Sequence, residues 1–269
     1  GFSSLSKSTS TLRTKQQKIN EVRIIPQACC YVIEIVYTVE DTELNNKSGV
    51  ASIDLGLNNL MAVTTNQSGI KPLLINGRPL KSINQFYNKC KAKFQSINAT
   101  NQIKSLTHKR NCRVENYLHT ASRRVIQWCQ KYQIGTLIIG KNEGWKDGIN
   151  IGKKNNQQFV CVPHARLISM LTYKAQLTGI KVILTEEAYT SKASALDNDP
   201  IPKYGEKAPE FSGKRVKRGL YKTNNGYLIN ADINGSLNIA RKVIPNFVEG
   251  IGGQPCVPWV ANPLRTLIH

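Results

Sequence analysis

The order of the apolar segments places the strongest limit on the fold of this chain. A predicted strand at 29–39 (CCYVIEIVYTV) comes first, and three short apolar runs follow at residues 50–54, 60–65 and 73–75. The turn-forming sequence NQSG at 66–69 joins the last two, and short turns predict antiparallel pairing. Later come an apolar run at 135–140, a helical pattern at 164–178 and another apolar run at 181–185, and a strand–helix–strand connection predicts parallel pairing. The sequence therefore predicts an α/β fold in which helices flank a mixed sheet.

Two helical stretches, at about 80–97 and 108–132, separate these groups of strands. In the second, apolar residues recur every three to four positions, which is typical of a helix with one buried face. The interval 81–131 carries eleven Lys and Arg against a single acid, Glu115. We expect phosphate contacts from five of these bases, Lys109, Arg110, Arg113, Arg123 and Arg124. A solvated helix face without a ligand is the alternative interpretation.

The net charge favours nucleic acid as the partner. Lys and Arg number 37 against 17 Asp and Glu, which gives a formal charge of +20, and such an excess attracts polyanions. No apolar run reaches the ~20 residues of a membrane span and no signal-peptide pattern opens the chain, so we expect no membrane partner. The seven cysteines form no CxxC pair. They favour a reducing, cytoplasmic location and argue against a zinc site.

In so basic a chain, acids that follow predicted strands or begin a helix are candidates for a functional site. Asp54 ends a strand, Glu186 and Glu187 follow the strand at 181–185, and Asp232 opens the last predicted helix. Carboxylate oxygens are ligands that Mg²⁺ prefers, and two such ions about 3.5–4 Å apart serve phosphodiester hydrolysis. Ordinary structural roles are the alternatives: Asp232 as a helix N-cap, Asp54 as a turn former and Glu187 as the partner of a lysine.

Four segments, in this order along the chain, resemble the TnpB (OrfB-type) proteins of bacterial and archaeal transposons, which are relatives of the type V CRISPR nucleases. The segments are ASIDLGLNNLMAV, HKRNCRVENYLHTASRRVI, TEEAYTSKAS and NADINGSLNIARK, and the resemblance runs from about residue 50 to 244. It implies an RNase H-like (RuvC-like) domain that cuts DNA as directed by a guide RNA made from the transposon end. It also implies three metal-binding carboxylates, with Asp54 as the first and Asp232 as the last, and Mg²⁺ (or Mn²⁺) as the cofactor.

The middle carboxylate departs from the usual pattern of the family. In most members a Glu follows the fourth strand, whereas Gly140 stands at that position here, in TLIIGKNEGW. Some relatives carry the acid just before the TSK motif instead, which points to Glu187, with Glu186 as its near alternative. Neighbouring parallel strands present residues at the same edge of a sheet, so the exchange is physically reasonable. Glu143, three residues beyond Gly140, is a third candidate.

The parts around this core also depart from the family. Members usually carry a zinc ribbon of two CxxC pairs before the last Asp, but residues 191–229 contain no cysteine, so we expect a loop-like insertion without zinc. A polar opening that begins at Gly1 indicates a fragment. We predict a polar lead-in over residues 1–28, within a segment 1–48 that ends in a remnant of a wedge-like β domain. The RuvC-like nuclease domain with its basic helical insertion at about 78–132 then covers 49–245, and a peripheral tail covers 246–269.

Three functions are compatible with these features. The first is a transposon-associated, RNA-guided DNA endonuclease in the prokaryotic cytoplasm, at the nucleoid. In it, Asp54, Glu187 and Asp232 hold two Mg²⁺ ions, and cleavage leaves a 3′-hydroxyl and a 5′-phosphate. The second is a truncated, catalytically inactive derivative that still binds nucleic acid. The third is a DDE-type transposase that performs strand transfer with the same three acids.

Overall fold

The computed structural model describes residues 13–16, 18–27, 29–40, 42–141, 162–249 and 257–268, in two compact units. In the first unit, residues 1–40, the described part contains an antiparallel hairpin of β1 (Ile19–Pro26) and β2 (Tyr31–Tyr37). The predicted polar lead-in through residue 28 was therefore wrong. Val22 and Ile24 alternate with charged residues in β1, and this two-residue period is typical of a strand.

The second unit, residues 41–269, holds the remaining elements. In chain order they are β3 (Gly49–Leu55), β4 (Asn59–Thr65), β5 (Leu73–Asn76), α1 (Arg78–Ser96), α2 (Thr100–Lys131), β6 (Ile134–Gly140), α3 (His164–Gln176), β7 (Lys181–Thr185), β8 (Lys214–Lys217), β9 (Leu220–Lys222), β10 (Leu228–Asn230), α4 (Ala231–Val243), α5 (Val257–Ala261) and β11 (Leu264–Thr266). Among the described residues, none of these helices combines the length and the hydropathy that a membrane span requires.

Six strands form the main sheet, in the order β11-β5-β4-β3-β6-β7. As predicted, β3, β4 and β5 pair antiparallel through short turns, whereas β6 and β7 continue the sheet in parallel to β3. The central position of β3 matters for the site, because Asp54 lies near the end of this strand and is flanked by β4 and β6.

Helices cover both faces of this sheet, and β6 shows how the sequence directs them. Leu137 and Ile139 pack into a core with residues of α2 and α3, whereas Ile138 packs into a second core with residues of α4. Successive side chains of a strand point to opposite faces. Burial on both faces explains why the segment GTLIIG is apolar without alternation. The sheet therefore carries α4 on one face and the α2–α3 layer on the other.

The C-terminal residues belong to the fold, so the predicted peripheral tail was wrong for the residues that the structure describes. β11 pairs in parallel with β5, with Leu264 opposite Leu73. Phe247 and Val260 are buried, at 1% and 2% exposure, in the core that contains α4. A strand of three residues is too short to show the alternation by which strands are recognised in a sequence.

Residues 214–230 form a small sheet, so the loop that we predicted over 191–229 is wrong in its second half, whereas residues 191–213 contain no strand or helix. β8, β9 and β10 pair antiparallel, and Gly219, with φ of +78°, allows the turn between the first two. Asp199, only 6% exposed, accepts hydrogen bonds from the backbone N–H groups of Ser194 and Ser212, at 2.7 and 3.1 Å. The Ser212 hydroxyl also donates to it, at 2.6 Å. A buried carboxylate thus joins two parts of this cysteine-free insertion.

We expect Asp199→Ala to lower the free energy of unfolding by about 3 kcal/mol, because three donors lose a buried, charged acceptor. Urea denaturation followed by circular dichroism measures this change. Glu210→Ala is the matched control, because Glu210 is exposed in the same insertion and surface substitutions change stability by only about 0.5 kcal/mol. Equal losses in the two variants would contradict the role of Asp199.

Candidate active site

Asp54 lies near the C-terminal end of β3 and is half-buried. The backbone of α4 passes next to its carboxyl group, since a Cβ atom at Gly235 would lie 2.6 Å from Asp54 Oδ2. Because glycine has no side chain, α4 approaches the end of β3 closely here. The carboxyl group of Asp54 therefore faces the N-terminal part of α4.

Asp232 is the second residue of α4 and does not cap the helix. Asn230 is the N-cap, and its side-chain oxygen accepts hydrogen bonds from the backbone N–H groups of Asp232 and Ile233, at 2.9 and 3.2 Å. The carboxylate of Asp232 instead accepts a hydrogen bond of 2.7 Å from Asn59 Nδ2 and lies 3.8 Å from the guanidinium group of Arg215. The capping role that the sequence left open for Asp232 was therefore wrong.

A buried hydroxyl network fixes α4 against β3 and β4. The Ser52 hydroxyl lies 2.7 Å from the Thr64 hydroxyl and donates to the backbone oxygen of Ser236 at 2.7 Å, and the Ser236 hydroxyl donates to the backbone oxygen of Ser52 at 3.0 Å. Ser52 precedes Asp54 by two residues, on the same face of β3. Ser236 follows Asp232 by about one helical turn. The network therefore sets how the two aspartates are placed relative to each other.

Glu187 follows β7, and its carboxylate lies against the end of the neighbouring strand. Gly140 is paired with Thr185 in the parallel β6–β7 ladder. A Cβ atom at Gly140 would lie 2.2 Å from Glu187 Oε1 and 2.7 Å from Glu187 Cγ. The carboxylate of Glu187 thus fills the space that a side chain at position 140 would occupy.

Glu186 points elsewhere. Its carboxylate forms an ion pair of 2.6 Å with Lys242 Nζ and accepts a hydrogen bond of 3.3 Å from the backbone N–H of Tyr204. The Lys242 side chain is only 8% exposed, so this ion pair is largely shielded from water. Of the two adjacent glutamates, only Glu187 is directed towards the strand end at Gly140. Glu143, the third candidate, lies outside the described residues.

The electrostatics indicate that Glu187 and Asp232 lie in the neighbourhood of Asp54. Burial, followed by the charges of Glu187 and Asp232, raises the pKa of Asp54 well above its usual range, and Arg215 opposes this shift. Burial raises the pKa of Glu187 to about 8. Like charges that are close and partly buried disfavour ionisation unless a cation compensates them. Oxygen-only ligands of this kind fit a hard divalent cation such as Mg²⁺.

The predicted nucleic-acid residues lie on α2, and four of the five are exposed on one face of it, within about 100° of arc at 100° per residue. These four are Lys109, Arg113, Arg123 and Arg124. Arg110 differs, because its guanidinium group donates to Asn84 Oδ1 at 2.8 Å and lies over the Tyr87 ring. It therefore serves the packing of α2 on α1. The acid of this stretch, Glu115, is bound by Arg166.

Two contacts of the site were not predicted from the sequence, namely those of Asn59 and Arg215 with Asp232. Asn59 begins β4, the strand that pairs with the end of β3 next to Asp54, so the predicted hairpin contained a signal for it. Arg215 lies in β8, within the insertion that we predicted as a loop. No pattern in the sequence connected it with the acids.

Comparison with protein families gave two matches. A model described as probable transposase (OrfB_IS605) matches residues 34–146, and a model of the Cas12f1-like TNB domain matches residues 164–239. Among curated proteins, the chain is 23% identical over 226 residues to the CRISPR-associated endodeoxyribonuclease Cas12f2 of a Micrarchaeota archaeon, which covers 80% of this chain and 41% of that protein. It is 25% identical over 211 residues to the TnpB-like protein ORF457 of Acidianus two-tailed virus. That match covers 72% of this chain and 42% of the viral protein.

Comparison with solved structures tests the predicted fold. Two complexes resemble this chain: a Cas12f1–sgRNA–target DNA complex, with a TM-score of 0.52 and 17% identity, and a CRISPR–Cas12f ternary complex, with a TM-score of 0.54 and 18% identity. Each match covers 81% of this chain, and 55% and 44% of the respective solved chains. The predicted α/β fold, a mixed sheet with flanking helices, is thereby confirmed. The chain spans about two fifths of the length of the curated relatives that it matches.

Proposed function

We propose that this chain is a TnpB-like member of the family it matches, a RuvC-like, divalent-metal-dependent DNA endonuclease guided by RNA. The observation that carries the proposal is that the fold brings Asp54, Glu187 and Asp232, which lie 133 and 45 residues apart along the chain, into one region: Asp54 faces α4 next to Gly235, and Glu187 lies against Gly140 on the strand beside β3. They come from the end of β3, from the segment after β7 and from the start of α4. Such a convergence of acids is costly for a fold unless the site uses it.

The three carboxylates are the residues that would hold Mg²⁺ or Mn²⁺. Two such ions supply a nucleophilic water at neutral pH and stabilise the leaving oxygen of a phosphodiester. Asp54 contributes from the rigid centre of the sheet, and Asn59 holds one oxygen of Asp232 by its hydrogen bond. Glu187 takes the place of the glutamate that most of the family carries at position 140.

The remaining residues of the site orient the substrate and the ligands. Arg215 lies beside Asp232, where a guanidinium group can hold a phosphate oxygen of the strand to be cut. The exposed bases of α2, Lys109, Arg113, Arg123 and Arg124, offer a surface for the sugar–phosphate backbone of a guide–target duplex. Two relatives are solved as complexes with sgRNA and target DNA or as a ternary complex, which supports DNA and guide RNA as partners.

A nucleic-acid-binding protein without catalysis is the second candidate. It is favoured by the absence of cysteines from residues 191–229, where the family usually carries a zinc ribbon. The position of Glu187 against Gly140 favours catalysis. A strand-transfer transposase shares the three acids and differs in its product, which would be a joined strand.

The test is cleavage of a plasmid that carries the target, by this chain together with its guide RNA. We expect cleavage with Mg²⁺ or Mn²⁺, none with excess chelator, and ends with a 3′-hydroxyl and a 5′-phosphate. Gel-shift binding of the guide RNA under the same conditions is the control for a folded, loaded protein. Binding without cleavage at any metal concentration would favour the second candidate, and joined strands would favour the transposase.

A further inference from the structure

A second basic surface lies beside Asp232, in a pocket of about 580 Å³. Its lining includes both Asp232 and Asn59, the residue that hydrogen-bonds it. Four arginines from separate parts of the fold reach this pocket, namely Arg78, Arg215, Arg218 and Arg265. The volume is in the range of sites that bind ligands of about the size of a nucleotide.

The charges of this pocket are not compensated by the protein. Asp232 is the one acid in its lining, against four guanidinium groups. Arg215 approaches that acid at 3.8 Å, whereas Arg78, Arg218 and Arg265 form no ion pair with a carboxylate among the residues that the structure describes. Like charges that share one pocket repel one another. A site of this kind is stable when an anion occupies it.

The fold brings these arginines together from distant segments. Arg78 is the first residue of α1, whose first turn carries no acid, so the partial positive charge of the helix N-terminus adds to its own. Arg215 lies in β8, and Arg218 lies in the turn to β9. Arg265 lies in β11, which joins the sheet next to β5.

A second cavity of similar size shows that this arrangement is specific. That cavity, of about 610 Å³, is lined by acids as well as bases, including Glu186, Asp199, Arg241 and Lys242. Its charges are used within the protein: Glu186 pairs with Lys242, and Arg241 donates to the backbone oxygen of Asp199. The pocket beside Asp232 differs in that three of its four arginines have no ion pair among the described residues, and its wall includes the apolar residues Leu57 and Leu267, the latter 64% exposed.

We propose that Arg78, Arg218 and Arg265 bind the backbone phosphates of the DNA strand that flank the phosphodiester to be cut. Guanidinium groups match phosphate oxygens in geometry and charge, and the exposed Leu267 offers apolar surface to sugars and bases. Because Asp232 belongs both to the pocket and to the acidic site, phosphates held here are neighbours of the reacting one. This assignment rests on the proposed nuclease function.

Binding of a labelled single-stranded DNA, measured by fluorescence anisotropy with chelator present, tests the proposal without needing cleavage. The triple variant Arg78→Gln, Arg218→Gln, Arg265→Gln is expected to bind at least about tenfold more weakly at low salt. Its plot of log affinity against log salt is expected to be shallower by about 2, since each phosphate contact in a single strand contributes about 0.7. Each single variant should make the slope shallower by about 0.7, one third of the change expected for the triple variant.

Lys181→Gln is the control, since it removes an exposed positive charge at the start of β7, outside the pocket lining. Circular dichroism and thermal unfolding confirm that the variants fold. If the triple variant loses no more DNA affinity than Lys181→Gln does, the proposal is overturned. It is also overturned if only binding of an RNA of the same sequence weakens. If the triple variant loses DNA affinity but the wild-type protein never cleaves DNA, the pocket binds DNA as proposed and the nuclease function is wrong.

Discussion

Asp54→Asn is expected to reduce the rate of DNA cleavage by at least about a thousandfold, since metal-assisted stabilisation contributes several kcal/mol and each 1.4 kcal/mol is about tenfold. Glu187→Gln should have a similar effect. Both variants keep the shape of the side chain and remove a negative oxygen ligand. Guide RNA binding should stay close to that of the wild-type protein, because neither residue lies on the basic face of α2. Single-turnover cleavage with saturating Mg²⁺ measures the effect.

Glu186→Gln is the matched control for this result. Glu186 is adjacent to Glu187 in the chain, but its carboxylate pairs with Lys242. The variant is expected to cleave DNA within a few-fold of the wild-type rate, although loss of the shielded ion pair lowers its stability. If Glu186→Gln abolished cleavage while Glu187→Gln did not, the assignment of the middle carboxylate would be reversed.

Although Asp54→Asn should reduce cleavage, the same substitution should increase the stability of the metal-free protein. Burial and the charges of Glu187 and Asp232 raise the pKa of Asp54, which means that the charged form is unfavourable in the folded state. Asp54→Asn in chelator should therefore unfold at a higher temperature than the wild-type protein, as is common for functional residues that fit poorly in their own fold. Added Mg²⁺ should stabilise the wild-type protein more than the variant.

Gly140→Ala is expected to reduce cleavage on the order of a hundredfold, because a displacement of about 1 Å in an active site has effects of this size. The new Cβ atom would lie 2.2 Å from Glu187 Oε1 and 2.7 Å from Ile239 Cδ1. The carboxylate of Glu187 must then move. The backbone at Gly140 is not in the left-handed region, so the expected loss comes from displacement of Glu187 rather than from backbone strain.

The double variant Gly140→Glu, Glu187→Ala tests this interpretation in the other direction. It places the glutamate where most of the family has it and removes the side chain that fills this space. We expect it to recover much of the activity that Glu187→Ala alone loses. An inactive double variant that still folds and binds guide RNA would show that the two positions are not interchangeable.

Much of the sheet could be predicted from the sequence, because its strands are bounded by turns and carry strong apolar patterns. The segments GTLIIG and KVILT became β6 and β7 with nearly the predicted bounds. The start of α2 was missed by eight residues, at Thr100 rather than 108, since the segment TNQIKSLT shows little helical periodicity. β8 to β11 were missed because strands of three or four residues depend on their tertiary partners rather than on a local pattern.

Within the site, the sequence predicted which residue types take part, but it could not predict the direction of each side chain. Glu186 and Glu187 are consecutive, and only the register of β7 on β6, together with the position of Lys242, separates them. Asn230 and Asp232 are both good helix N-caps by residue type, and the choice between them depends on where α4 begins. Arg265 lies in a segment that composition alone assigned to a tail. Such distinctions depend on contacts between residues that are distant in the sequence.

The most direct test of the central claim is to locate Mn²⁺ in crystals of this protein by anomalous X-ray diffraction at the manganese edge. We predict anomalous density between the carboxylate oxygens of Asp54, Glu187 and Asp232, within metal–oxygen bonding distance of all three side chains. Density that contacts Glu186 instead of Glu187, or no density near Asp54 at saturating Mn²⁺, would contradict the claim.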